Sequence, residues 1–326
     1  MKAVFVTRYG GPEVLEVRDV ERPQAKENEL LIKVHASGIS RASAMMRTGT
    51  PRFARLFLGL RRPKHPIPGS GFAGLIVGKG ANVTGYEIGD AVFGHTAASF
   101  GTNAEYVCIP VDGVVVPLPD FLSFEEASII NDGPLTSYNF LKNVANVQPG
   151  QKVLINGASG SLGVAAVQIA KRMGAEVTGV CSTANVELVR SLGADHVIDY
   201  TRQDFTKGTE QYDVVYDTIG KSCIGKAKDV MAPKGIYMSP VLDLNMLEQM
   251  IMNPFHSGKK AKFDATGLKP VKDIMQMIND LLQMMSTGTY NAVIERRYAM
   301  EDVVEAHRYI DTGRKRGNVI MSIASS

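Results

Sequence analysis

One stretch limits the choice of fold more than any other. It runs from Lys152 to Lys171 and reads K-V-L-I-N-G-A-S-G-S-L-G-V-A-A-V-Q-I-A-K. Val153, Leu154 and Ile155 form a short apolar run led in by Pro149 and Gly150, the pattern of a strand buried on both faces. Gly157, Gly160 and Gly163 follow, and then Leu162, Ala165, Ala166, Ile169 and Ala170 recur at helical spacing. Strand, glycine turn and helix start are therefore predicted in that order. At such a turn the backbone N–H groups and the positive end of the helix dipole face outward, which suits a pyrophosphate. Gly160 allows close approach of the phosphates, and Gly163 close packing of helix on strand. The strict G-x-G-x-x-G fingerprint is not met, because Ala158 holds its first position. The next apolar run, Glu176 to Cys181, falls where a βαβ unit requires its second strand. Dinucleotide binding is expected here, in preference to a tight turn with no ligand.

The rest of the chain divides around this unit. At 326 residues it is long for a single core, so two domains are expected. Residues 1 to about 120 read as β-rich: Leu30, Ile32 and Val34 alternate with polar neighbours, and a β-branched run lies between Ala104 and Val116. Ser123 and Glu126 then form a plausible capping box ahead of helical spacing at Ala127, Ile130, Leu135 and Tyr138. Strands are expected at 197–199, 214–216 and 236–238 with helices between them, the alternation of a doubly wound parallel sheet. Past Pro270 a helix is predicted with Val271, Ile274, Ile278, Leu281, Leu282 and Met285 on one face. A strand near 293–294, a helix over 303–310 and a last strand over 319–323 follow. Met275, Met277, Met284 and Met285 are read as core filling rather than a pocket lining.

Charge and cysteine usage exclude some classes of function. A net charge of +3 gives no reason to propose nucleic-acid binding. Cys108, Cys181 and Cys223 are far apart and odd in number, as expected of reduced thiols in the cytoplasm. The apolar run at Met1–Arg8 is short for a signal peptide and reads as a strand, and no run reaches the length of an integral membrane span.

Several longer motifs now carry a family resemblance. They are Gln148-Pro-Gly-Gln-Lys-Val-Leu-Ile155, Asn156-Gly-Ala-Ser-Gly-Ser-Leu-Gly163, Leu192-Gly-Ala-Asp-His-Val-Ile-Asp-Tyr200 and Tyr212-Asp-Val-Val-Tyr-Asp-Thr-Ile-Gly220. Pro68 to Gly74 with Gly89 to Gly94, and Gly313 to Ile320, extend the match to both ends. The chain resembles medium-chain dehydrogenases/reductases of the zinc-free type related to zeta-crystallin and quinone oxidoreductase. That resemblance implies an α/β protein: a Rossmann doubly wound parallel sheet over residues 123–268, a GroES-like β-rich catalytic domain from residues 1–122 and 269–326, and a cleft between them. It also implies a homodimer and a small quinone or enone as substrate.

Zinc is not expected. Zinc-bearing relatives have a Gly-His-Glu segment where this chain has Gly69-Ser70-Gly71, and no cysteine precedes Cys108. His65 and His95 are read as loop or cleft histidines rather than ligands.

Cofactor choice rests on Cys181-Ser-Thr-Ala-Asn185, which has no acid before Glu187 to hold a ribose 2′-OH. Ser182 and Thr183 can donate to a 2′-phosphate, and Tyr200 matches a family position beside the same group, so NADP(H) is expected. Relatives often carry Arg or Lys near position 184, here Ala184, for which Arg190 or Lys171 can substitute. One of Ser182 and Thr183 is also expected to cap the following helix. The resemblance further nominates Thr136, Ser159, Gly160, Ser161, Leu162, Gly163, Ile219, Gly220, Ser239 and Asn318 as cofactor contacts.

For catalysis, a donor near the acceptor's carbonyl oxygen is the most useful group. Relatives place an asparagine after the first long strand and a tyrosine soon after. Here these positions hold Ser40 and Met45, leaving Ser40 and Arg41 as candidates. A non-catalytic NADPH-binding sensor or structural protein, or an alcohol or aldehyde oxidoreductase, stand as alternatives. Residues 50–66 combine apolar and basic character (Arg52, Arg55, Arg61, Arg62, Lys64), the pattern of a short amphipathic surface helix or lid.

Overall fold

The computed structural model describes all residues except 51, 97, 98, 256, 257 and 324–326, and the side chains of 53 and 57. The chain forms two compact units. One comprises Met1–Asp132, Gly267–Ile278 and Ile294–Ser326, and the other Gly133–Thr266 and Asn279–Val293. Pro51 of the basic segment lies outside the described residues.

The second unit is built on six parallel strands. In chain order they are Lys152–Asn156, Glu176–Cys181, His196–Asp199, Tyr212–Asp217, Met231–Met238 and Lys260–Lys262. Their spatial order is 3-2-1-4-5-6, the order of a dinucleotide-binding doubly wound sheet. The first three strands and the next two fall where hydrophobic runs place them. Lys260–Lys262, too short and too polar to read in sequence, is held by pairing with Ile236–Met238. Val153, Leu154 and Ile155 are fully buried, as a central parallel strand with both faces covered demands.

The first unit is organised on the long strand Glu29–Ile39, which pairs antiparallel with Gly71–Lys79, Tyr106–Pro110 and Asn318–Ser322. The C-terminal strand thus completes the N-terminal sheet. Leu30, Ile32, Val34, Phe72, Ile76 and Val92 fill one side of it. Val4, Val6, Ile39, Val303, Ile310 and Met321 fill a second core.

Two helices differ from expectation. In Val271–Ser286 the buried positions are Ile274, Met277, Ile278, Leu281 and Met284, whereas Val271 is exposed. Of the four methionines read as core filling, Met277 and Met284 are buried, and Met275 and Met285 are half-buried. The expected amphipathic helix at 50–66 shrinks to a 3-10 turn, Arg52–Ala54, that runs into one α-helical turn, Arg55–Leu58. Arg55 is not part of a free basic face: it donates to the carbonyls of Gly49 and Thr48 and lies over the Tyr9 ring. Among the described residues, no helix is long and apolar enough to cross a membrane.

The first unit also buries a charge. Arg47 is fully buried; it donates two bonds of 2.7 Å to the Asp311 carboxylate, one to the Gly10 carbonyl and one to His307 Nδ1. Burial, reinforced by the Arg47 charge, pushes His307 down to about 3, and burial pushes His95 down to about 4. Both are neutral when folded and have ordinary values near 6.5 when unfolded. Between these limits the unfolded chain binds more protons, so their contribution is complete above pH 6.5 and is lost as pH falls toward 4 and 3. Each histidine is expected to contribute a slope of about 1.4 kcal/mol per pH unit in that window. Urea midpoints from pH 7 downward check this. The slope is expected to flatten in His307→Gln, and an unchanged slope contradicts it.

Candidate active site

The glycine turn follows the first parallel strand and leads into the helix Ser161–Arg172. Gly157 has φ +82, a left-handed conformation that lets the chain leave the strand sharply, and a Cβ there would strike Ile219 and Thr218. Gly163 packs so closely that a Cβ would lie 2.1 Å from the Gly157 carbonyl oxygen. At Gly160 the nearest neighbour to a Cβ is 3.5 Å away, so this glycine is not required by internal packing. Its face is left open toward a ligand, in front of a helix whose first N–H groups have no intrahelical acceptor. The turn therefore fits a pyrophosphate. Ser161 and Ser159 are buried, and Leu162 is half-buried at the helix start.

Across the switch point, where the strand order reverses between strands one and four, lies the second half of the site. Tyr212–Asp217 ends in a fully buried carboxylate. Asp217 accepts from the N–H groups of Ile219, Gly220 and Ser222, from the Tyr237 hydroxyl and from the Asn156 amide, at 2.8–3.1 Å. Burial, then the Asp217 charge, raises the Tyr237 phenol, which keeps it a donor to that carboxylate. Asp217 thus fixes the loop that carries Ile219 and Gly220, the latter in a left-handed turn at φ +74. Sequence reasoning quoted this motif but missed the role of its acid. An aspartate ending an apolar strand just ahead of Thr-Ile-Gly was the available signal.

The end of the second strand departs from expectation. One of Ser182 and Thr183 was expected to cap the next helix, and neither side chain makes a cap bond. Ser182 instead accepts from the Asn185 amide at 3.2 Å, and the same nitrogen donates to Ser159 at 3.0 Å. Thr183 donates its proton to Asp199 at 2.5 Å and lies 3.0 Å from Thr201. The substitutes for a cation at position 184 also have partners: Arg190 pairs with Glu187, and Lys171 with both oxygens of Asp195. Tyr200 is exposed, Ser239 is buried and accepts from the Val241 N–H, and Thr136 is half-buried.

The remaining candidates lie in the first unit. Ser40 follows the long strand and caps the helix Arg41–Thr48, accepting from the Ala42 N–H, while Ser43 accepts from its own. Its hydroxyl also lies beside the Asp132 carboxyl as a hydrogen-bond donor, and Lys315 faces the same acid. Burial pushes Asp132 up and Lys315 down, each opposed by the other's charge. Arg41 and Met45 are exposed, and Asn318 is buried at the start of the last strand. Neither Asp132 nor Lys315 is legible as a site residue in sequence, since nothing local joins positions 40, 132 and 315. Among the described residues, no group of three or more His, Cys, Asp or Glu side chains is placed to hold a metal.

Comparison with known proteins agrees with this layout. Residues 26–120 match the alcohol dehydrogenase GroES-like domain, and residues 192–321 a zinc-binding dehydrogenase domain. Quinone oxidoreductase of Pongo abelii is 31% identical over 96% of this chain and 94% of its own. 2-Methylene-furan-3-one reductase of Solanum lycopersicum is 30% identical over 98% of this chain and 79% of its own. The solved quinone oxidoreductase of Coxiella burnetii superposes with a TM-score of 0.89 at 27% identity, covering 99% of both chains.

Proposed function

We propose, for a chain that belongs to the medium-chain dehydrogenase/reductase superfamily in its zeta-crystallin-like branch, an NADPH-dependent reductase of quinones, enones or similar activated carbonyl compounds. That the chain is an NAD(P)-dependent oxidoreductase follows from its relatives. Dinucleotide binding rests on one observation, the open Gly160 face in front of a helix N-terminus at the switch point of a 3-2-1-4-5-6 sheet, and the choice of NADPH rests on the absence of an acid between Cys181 and Glu187, where Ser182 offers a hydroxyl. The names of the relatives support the acceptor class. A quinone and a 2-methylene-furan-3-one both have a carbonyl conjugated with a carbon–carbon double bond. Hydride arriving at such a system leaves negative charge on the carbonyl oxygen.

The nicotinamide supplies that hydride when bound, and the protein supplies position and protons. Ser159 to Gly163, with Ile219 and Gly220, hold the dinucleotide, and Thr136, Ser239 and Asn318 are assigned further contacts to it. Ser40 serves the acceptor oxygen as a hydrogen-bond donor once its proton turns from Asp132 to the substrate. Asp132 lies beside that hydroxyl and Lys315 faces the same acid, so the two flank the donor. Arg41 is the alternative cation. Zinc has no part in this scheme. A homodimer in the cytoplasm completes the proposal; the three free cysteines suit a reducing compartment.

NADPH and NADH oxidation followed against a naphthoquinone, an ortho-quinone, an aliphatic enone and an aldehyde tests the reading. Turnover of a quinone or the enone with NADPH preferred is the expected result. Tight NADPH binding without turnover on any acceptor instead supports the sensor alternative, which Met45 in place of the family tyrosine favours.

A further inference from the structure

We infer that Asp199 limits the selectivity for NADPH over NADH, and that Ser182 and Ser159, not Thr183, supply the hydroxyl donors at the adenosine end of the site. The inference rests on the proposal that this sheet binds a nicotinamide dinucleotide.

Asp199 is the last residue of the third parallel strand and stands in register with Cys181, the last residue of the second. Its carboxylate therefore reaches the same carboxyl edge of the sheet as Ser182 and Thr183, where an adenosine ribose is received in a sheet of this order. One carboxylate oxygen accepts from the Thr183 hydroxyl at 2.5 Å. The other accepts from the Thr201 hydroxyl at 2.7 Å and the Thr201 N–H at 3.0 Å. These donors, the Thr183 hydroxyl foremost, hold the acid below the usual carboxylate range, so it is ionised throughout the neutral region.

Two consequences follow from this arrangement. The single proton of Thr183 is already committed, so Thr183 has none to offer a phosphate. A fixed negative charge also stands beside the place where a 2′-phosphate would lie. The cations around it compensate poorly. Arg202 approaches Asp199 only to 3.6 Å and its side chain is 77% exposed, while Arg190 is paired with Glu187. Ser182 and Ser159 are arranged in the opposite sense. The Asn185 amide nitrogen donates to both oxygens, occupying an acceptor site on each and leaving each proton to point elsewhere. Asn185 thereby couples the glycine turn to the end of the second strand.

The test is direct binding of NADPH and of NADH, read by quenching of nucleotide fluorescence at one fixed ionic strength, in the full chain and in Asp199→Asn. The Kd ratio is expected to move toward NADPH by about tenfold, the effect of removing one unit charge near a multiply charged phosphate at an intermediate effective dielectric. NADH affinity is expected to change less than about threefold, since no 2′-phosphate is present to feel the charge. An unchanged ratio, or a shift toward NADH, overturns the inference. Thr183→Val provides a second arm should Asp199→Asn fold poorly: a preserved ratio supports the assignment, and a loss confined to NADPH shows Thr183 to be a phosphate donor and overturns it. Failure of the unmodified protein to bind either nucleotide is a different result, which removes the proposed function itself.

Discussion

Asp217→Ala is expected to destabilise the protein by about 3–5 kcal/mol and to weaken dinucleotide binding at the same time. The carboxylate is fully buried and takes five donors: three backbone N–H groups of the following loop, the Tyr237 hydroxyl and the Asn156 amide. Removing it leaves all five without their acceptor. Each stranded buried donor costs roughly 1–3 kcal/mol, partly relieved where water enters the space. The loop through Ile219 and Gly220 then loses what sets its shape, so the cost reaches the ligand as well as the fold. Urea denaturation and NADPH titration of the same variant check both halves. A loss of less than about 1 kcal/mol in stability contradicts the role given to this acid.

The two glycines of the nucleotide turn are expected to respond to the same small change in different ways. In Gly163→Ala the added methyl meets the Gly157 carbonyl oxygen at 2.1 Å and the Ala158 backbone at 2.6 Å. These neighbours are backbone, so the helix must move off the strand, at a cost of about 1–3 kcal/mol. Dinucleotide affinity is expected to fall at least about tenfold, because the first turn of the helix no longer aims at the same point. Gly160→Ala meets nothing closer than 3.5 Å within the protein. Its melting temperature is expected to hold while NADPH binding falls, since the methyl occupies the space a phosphate needs. Thermal melts paired with nucleotide titration separate the two. Equal loss of stability in both variants contradicts the distinction.

Much of the cofactor half of the site was legible because its signals are local. A strand, a glycine turn and a helix start are encoded within about twenty residues by backbone freedom and apolar spacing. The Ser123–Glu126 capping box was readable for the same reason, its partners being three residues apart, and both of its bonds form. The helix-capping role expected for Ser182 or Thr183 rested on equally local reasoning and failed. The Thr183 hydroxyl turns instead to Asp199, which arrives from the neighbouring strand sixteen residues on, and the Ser182 oxygen accepts from the Asn185 side chain rather than from a backbone N–H. Similarly, Arg55 looked like part of a basic surface until the carbonyls of Thr48 and Gly49 and the Tyr9 ring claimed it. For Thr183 and Arg55 a tertiary partner displaced a local one.

The sequence by itself determined the elements: which runs become buried strands, where the chain must turn on glycine, and which helix starts at that turn. These depend on φ/ψ freedom and on a hydrophobic period of two or 3.6, both properties of a short stretch. The tertiary structure alone decided the partners of the polar groups. Asp217 meets Asn156 across 61 residues, Arg47 meets Asp311 across 264, and Lys315 faces Asp132 from the far end of the chain. Strand order and register bring these groups together, and a buried charge or amide must then bond to whatever donor or acceptor arrives, because water is no longer there to take its place.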